Sequence, residues 1–165
     1  MNLAYKTIDS PVGKLKLVAS DKGLVAVLWE NDKPNRVRLG AMMEDQRHLI
    51  LLDTERQLEQ YFAGERKTFS VALDMRGTSF QKNVWEALLA IPFGETRSYG
   101  QLAKQLGNSR AMRAVGAANG RNPISIIVPC HRVIGSSGKL IGFAGGLETK
   151  GWLLSLEEQG TRLFT

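Results

Sequence analysis

Cysteine is almost missing from this sequence of 165 residues: Cys130 is the single copy. No disulfide can therefore form within the chain. Histidine is nearly as scarce, with His48 and His131 the only two. Two histidines and one cysteine cannot supply a four-ligand His/Cys zinc site; this count leaves oxygen-ligated metals open, and no cofactor is expected. No apolar run approaches the roughly 18–20 residues that cross a bilayer, so no membrane association is expected. The first residues lack a basic stretch followed by an apolar core, so no secretory leader is expected and the cytoplasm is the default compartment. Acidic residues are missing between Glu95 and Glu148, an interval that carries Arg97, Lys104, Arg110, Arg113, Arg121, Arg132 and Lys139.

The composition is otherwise that of a globular protein, 43% hydrophobic and 23% charged, which excludes wholesale disorder. The net charge of +6 is uneven: residues 1–78 hold 12 basic and 11 acidic side chains, whereas residues 79–165 hold 10 and 5. A surface stretch of one sign attracts polyanions through counterion release. A plain solvated basic face has the same signature, and charge alone does not separate the two.

Hydrophobic patterning divides the chain into two units, residues 1–76 and 77–165, and predicts an α+β protein. In the first unit, residues 3–7, 15–19 and 24–29 read as strands separated by the turn signals Ser10-Pro11-Val12-Gly13 and Ser20-Asp21-Lys22-Gly23. Residues 31–43 read as a loop, 44–63 as a helix stopped by Gly64, and 68–73 as a further strand. In the second unit, Thr78 followed three residues later by Gln81 predicts a capping box. It opens a helix whose inner face is Phe80, Val84, Leu88 and Ile91. Two short helices follow, 98–107 and about 111–120, with Asn108-Ser109 as turn and cap, a spacing that fits a helix-turn-helix. The second is built of small residues, Ala111, Ala114, Gly116, Ala117, Ala118 and Gly120, with Arg113 its one prominent side chain. Core packing is the simpler reading of such a helix; close docking to a nucleic-acid groove is the other.

Chemistry concentrates in the run Asn122-Pro123-Ile124-Ser125-Ile126-Ile127-Val128-Pro129-Cys130-His131-Arg132-Val133. Residues 124–128 read as a short strand ended by Pro129. A thiol in a basic, acid-free region has its pKa lowered by neighbouring positive charge, and a histidine can act as its base. A free cysteine is also often a small apolar filler, and adjacency in sequence does not establish a Cys–His contact.

Pro129-Cys130-His131-Arg132-Val133 resembles the active-site signature of the O6-alkylguanine-DNA alkyltransferases, the methylated-DNA–protein-cysteine methyltransferases, in their short bacterial form. The resemblance runs from Thr78-Ser79-Phe80-Gln81 to about Glu158, through Ser98-Tyr99, Ala114-Val115-Gly116, Asn122-Pro123, Gly145-Gly146, Lys150, Trp152-Leu153-Leu154 and Glu157. Residues 1–76 match in layout only. The resemblance implies a small ribonuclease H-like α/β scaffold domain followed by a mainly helical domain with a winged helix-turn-helix. It implies direct-reversal repair of double-stranded DNA carrying O6-alkylguanine, and also of O4-alkylthymine. The damaged base is flipped out and its alkyl group stays on Cys130, so each molecule acts once. It implies that His131 acts on the thiol through a water, that Glu157 orients His131, and that Asn122 braces the active-site loop. Tyr99, the backbone carbonyls of Cys130 and Val133, and the positions Phe143 and Ala144 would contact the base. Arg113 would fill the vacated stack, and Tyr99, Gln81, Gly100, Asn108 and Ser136 would touch the DNA. A monomer without metal is implied, with cooperativity along DNA left open.

Three departures stand out. Phe143 and Ala144 occupy positions often held by tyrosine and serine, which implies a roomier pocket that admits alkyl groups larger than methyl. Gly151 replaces a common acidic residue. Two readings of other classes remain, a non-catalytic lesion sensor and a sequence-specific helix-turn-helix regulator independent of Cys130; a cysteine hydrolase that turns over repeatedly is a more distant one. A non-catalytic lesion sensor of the same fold would carry tryptophan at position 130.

Overall fold

The computed structural model describes residues 2–162. Its N-terminal half is a four-stranded sheet backed by one helix. Strands β1 (Leu3–Ile8), β2 (Leu15–Ala19) and β3 (Leu24–Trp29) form an antiparallel meander. A short β4 (Met42–Glu44) adds parallel to β1, giving the order β3-β2-β1-β4. Residues 31–43 are therefore not all loop, and the helix expected from 44 starts later. The residues 42–44 instead join the sheet, and α1 runs Leu49–Phe62. A three-residue strand is invisible to periodicity, because its pairing comes entirely from β1.

Both faces of the sheet are covered. Leu17, Val27 and Trp29 face the main core, while Leu3, Val18, Val25 and Ala26 form a small second cluster with Leu39 and Met42 packed on it. This double coverage explains why β3 is a continuous apolar run rather than an alternating one. Residues 68–73 do not form a strand; only Leu73 makes an isolated bridge, to Leu24.

The C-terminal half is mainly helical: α2 (Ser79–Leu89), α3 (Tyr99–Gln105), α4 (Met112–Gly120) and α5 (Leu147–Arg162). A two-residue parallel pair, β5 (Arg97–Ser98) with β6 (Val133–Ile134), ties the start of α3 to the end of the cysteine segment. The Thr78–Gln81 capping box is present, and Ser98 with Gln101 forms a second one that opens α3. Phe80 is exposed, and Trp85 takes its place on the buried face of α2. Asn108 accepts from the Arg110 N–H, but Ala111 holds the N-cap position of α4 with no side-chain bond.

One hydrophobic cluster runs through both halves. It joins Leu17, Val27 and Trp29 to Leu51 and Leu58 of α1, Val84 and Leu88 of α2, Leu102, Val115 and Leu153. Among the described residues, no helix is long and apolar enough to cross a membrane.

Candidate active site

Residues 124–128 are not a strand. They form a knot of tight turns: Ile127 N–H donates to Ser125 O, Val128 N–H to Ile124 O and Cys130 N–H to Val128 O, at 2.8–2.9 Å. Ile126 holds φ at 74°, a conformation costly for a β-branched residue. It is retained because the side chain is buried and the turn is pinned from several sides. The Asn122 amide pins it from within, donating to Val128 O at 2.8 Å and accepting from Ile124 N–H at 3.0 Å. The N-terminal half pins it from without. Val27 N–H donates to Pro123 O at 2.9 Å and the Trp29 indole to Ser125 Oγ at 3.1 Å. Arg36, held by two hydrogen bonds to Asp32, donates to Asn122 O at 2.7 Å.

A 3₁₀ turn over Cys130–Arg132 ends this segment. Successive side chains on such a turn point about 120° apart, so Cys130 and His131 face different ways. Cys130 lines a cavity of about 160 Å³ with Tyr99, Asn119, Phe143, Ala144 and the edge of Arg36. Phe143 is set in its wall by an edge-on contact with Trp29, ring centroids 5.4 Å apart. The buried Lys150 ammonium donates to Ile141 O at 2.9 Å and to Gly142 O at 3.3 Å, which staples the strip of loop leading into that wall. Asn119 is buried, and its side-chain oxygen meets no donor among the described residues.

His131 and Arg132 turn inward instead. His131 Nε2 lies 2.7 Å from Glu157 Oε2, and Arg132 donates to Glu157 Oε1 at 2.8 Å and to Oε2 at 3.1 Å. Arg132 belongs to the basic interval of the sequence, yet it is buried and paired rather than part of a charged surface. Because an ionised carboxylate only accepts, Nε2 carries the proton and Nδ1 of the neutral ring is left as an acceptor. That Nδ1 is buried and has no partner among the described residues.

The electrostatics follow from burial. Burial pushes the Cys130 thiol up, and Asn122, Arg36 and Lys150 pull it back without overcoming that effect. The thiol is thus not lowered as its basic surroundings suggest, because desolvation of the thiolate outweighs the neighbouring charge. Burial pushes His131 down, partly offset by Glu157, which keeps the ring neutral and able to take a proton. Burial alone would raise Glu157, but the hydrogen bonds and charge of His131 and Arg132 bring it down to about 2. Burial raises the Tyr99 phenol, so it stays a donor; its hydroxyl rests 3.4 Å from Ile141 O.

These directions set the acid stability. Below the ordinary histidine value of 6.5 the unfolded chain takes up a proton that native His131 refuses, so the unfolded state binds more protons and stability falls with pH. The Glu157 contribution, complete above its ordinary value of 4.5, is lost as pH falls toward 2. Urea midpoints are therefore expected to drop from pH 7 to pH 5 and again below pH 4.5. A flat midpoint over pH 7–5 contradicts the neutral state of His131.

A second concavity adjoins the first. A groove of about 470 Å³ is lined by Gly100, Met112, Arg113, Ser136 and Ile141, and it shares Tyr99, Gly116 and Gly142 with the Cys130 cavity. Within α4 the small residues Ala114, Ala117 and Gly120 are exposed. The smooth surface thus faces solvent rather than core, against the simpler packing reading. Arg113 is also exposed on this helix. Of the residues singled out from sequence, Cys130, Tyr99, Phe143 and Ala144 line the cavity, and Tyr99, Gly100, Arg113 and Ser136 line the groove. Val133 is buried in β6, its N–H donating to Cys130 O. Gln81 and Asn108 lie apart: Gln81 lines a separate cleft beside Arg36 and Arg121, and Asn108 is exposed in the turn before α4. Arg36 and Tyr61 carry no sequence signal, since each makes its contact with a residue distant in the chain, and Asn119 is marked only by lining the cavity. Among the described residues, no three His, Cys, Asp or Glu side chains converge as a metal site would need.

The chain matches two family models, the ribonuclease-like domain of 6-O-methylguanine DNA methyltransferase over residues 3–75 and the DNA-binding domain of the same over residues 79–159. It is 50% identical over 153 residues to the methylated-DNA–protein-cysteine methyltransferase of Methanosarcina acetivorans, covering 93% of this chain and 97% of that protein. It is 51% identical over 160 residues to the protein of that name from Mycobacterium tuberculosis, covering 93% of this chain and 92% of the relative. The crystal structure of Mycobacterium tuberculosis OGT in complex with DNA superposes with a TM-score of 0.87 at 47% identity, over all of both chains. A buried lone thiol, a mixed α/β half, a helical half and these matches over nearly the whole length lead to one conclusion: the chain belongs to the 6-O-methylguanine-DNA methyltransferase family of enzymes.

Proposed function

We propose that this protein repairs DNA by moving an alkyl group from O6 of guanine to Sγ of Cys130, once per molecule. The observation that carries the reading is the buried thiol on a small cavity contiguous with a groove bearing Arg113 and the smooth face of α4. A base inside a duplex cannot bring its alkyl carbon to a buried sulfur, so the nucleotide must be extruded, at a cost of a few kcal/mol. Arg113 occupies the gap left in the stack. Gly100 and Ser136 at the groove, with Asn108 and Gln81 beyond it, contact the DNA backbone.

The thiol rests protonated, so the nucleophile is generated on demand. His131 Nδ1 takes the proton through one bridging water, and Glu157 holds the opposite nitrogen in the productive tautomer. The Sγ–C bond forms as the C–O6 bond breaks, and the proton lost by sulfur is balanced by the one gained by the departing base. Hydrogen bonding to that base lowers the barrier; Tyr99 supplies a donor, the Ala144 N–H a second, and the carbonyls of Cys130 and Val133 accept from the guanine amine. Asn122 keeps the loop in register. Phe143 and Ala144 leave room for alkyl groups larger than methyl, and O4-alkylthymine enters the same cavity.

The test is mass spectrometry of the protein after incubation with duplex DNA containing O6-methylguanine. The expected result is one methyl on Cys130 per molecule, no second turnover, and no gain in Cys130→Ala, which still binds DNA. Repeated turnover, or a methyl elsewhere, overturns the reading.

A further inference from the structure

The N-terminal half reaches the reacting centre at a residue with no chemistry assigned to it. Tyr61, near the C-terminal end of α1, donates its hydroxyl to Glu157 Oε2 at 2.6 Å, across 96 positions of sequence. The ring is 1% exposed and packed by Phe62, Phe69 and Phe93, with centroids at 5.5, 5.3 and 6.4 Å. Tyr61 and His131 thus share one carboxylate oxygen, at 2.6 and 2.7 Å. Packing alone needs no hydroxyl here, and phenylalanine would fill the same space.

Resting on the alkyl-transfer reading above, we propose that Tyr61 is a positioning residue of the reaction: its hydroxyl fixes the Glu157 carboxylate and limits how strongly that carboxylate draws a proton onto His131. The N-terminal half is then more than a scaffold, because it sets the pH at which the thiol can be activated. An oxygen that accepts from Tyr61 has less negative charge to offer His131. Without the phenol, Glu157 stabilises the imidazolium more, His131 becomes harder to deprotonate, and the base is lost at a higher pH. The other charged or titratable groups facing this site are Arg132 on the same 3₁₀ turn as His131, and Lys150 and Cys130, which act on one another and of which Lys150 also acts on His131. The phenol itself stays protonated, pushed well up by burial and by Glu157, so it does not titrate over this range.

The experiment is the single-turnover rate of Cys130 methylation against pH, each trace normalised to its own final stoichiometry so that misfolded protein does not count. Tyr61→Phe is expected to move the acid limb up by roughly half a unit while the plateau stays close to wild type. A 3-fluorotyrosine at position 61, a stronger donor of nearly the same shape, is expected to move the limb the other way. It serves as the deciding measurement if Tyr61→Phe does not fold. Phe69→Leu, which loosens the packing of the ring and leaves the hydroxyl, is expected to lower the melting temperature without moving the limb. Superimposable limbs for wild type and the position-61 variants overturn the proposal, as does an equal shift in Phe69→Leu. A wild-type protein that gains no methyl on Cys130 defeats the alkyl-transfer reading itself, a result distinct from either.

Discussion

Glu157→Gln is expected to slow methylation of Cys130 by about 10²-fold or more and to destabilise the protein by about 3 kcal/mol or more. Both losses come from one carboxylate that is 1% exposed and accepts from Tyr61, His131 and twice from Arg132. The amide has one acceptor oxygen in place of two and brings an NH₂ group among donors. Arg132 keeps its Ile91 carbonyl at 2.7 Å but loses its counter-charge in a buried site, and breaking a buried pair from one side leaves that charge uncompensated. At His131 an amide N–H facing Nε2 moves the ring proton to Nδ1, the nitrogen needed as base. Single-turnover kinetics and urea denaturation read the two effects separately. A destabilised variant that methylates at the wild-type rate would reduce the His131–Glu157 pair to a structural contact.

Arg113→Ala is expected to weaken repair in duplex DNA by about 10–100-fold while leaving reaction with free O6-methylguanine or O6-benzylguanine near wild type. Extruding a base costs a few kcal/mol of stacking and pairing, and a side chain that occupies the gap recovers part of that. The free base is already unstacked and needs no such help. Arg113 is exposed on α4 and lines the outer groove, not the Cys130 cavity, so its removal leaves the reacting centre untouched. The comparison uses the two substrates on the same protein preparation. Equal losses on both would place the arginine in the chemistry or the fold rather than in holding the duplex open.

Much of the architecture was legible because it rests on local rules. The Thr78–Gln81 box, the strand–turn–strand pattern of residues 3–29 and the glycine that ends α1 each satisfy their own backbone groups within a few residues. Local pattern fails where distant partners decide. Residues 42–44 extend because β1 offers an open edge. Residues 124–128 are as apolar as a strand, yet Asn122, Arg36, Val27 and Trp29 gather them into turns. Asn122 lies in the same run, but the contacts from Arg36, Val27 and Trp29 come from sites that no window of sequence contains.

What the sequence determined by itself was the inventory at the reacting centre: one sulfur, one histidine beside it, an interval without acid, and a motif order specific enough to mark the family. Tertiary structure alone decided how those groups work. It buried the sulfur deeply enough that desolvation outweighs the surrounding positive charge. It also turned Arg132 from a surface cation into the partner of Glu157, and brought Tyr61 from the other half of the chain onto the same carboxylate. Ionisation and hydrogen bonding depend on what stands within a few ångströms in space, which order along the chain does not specify.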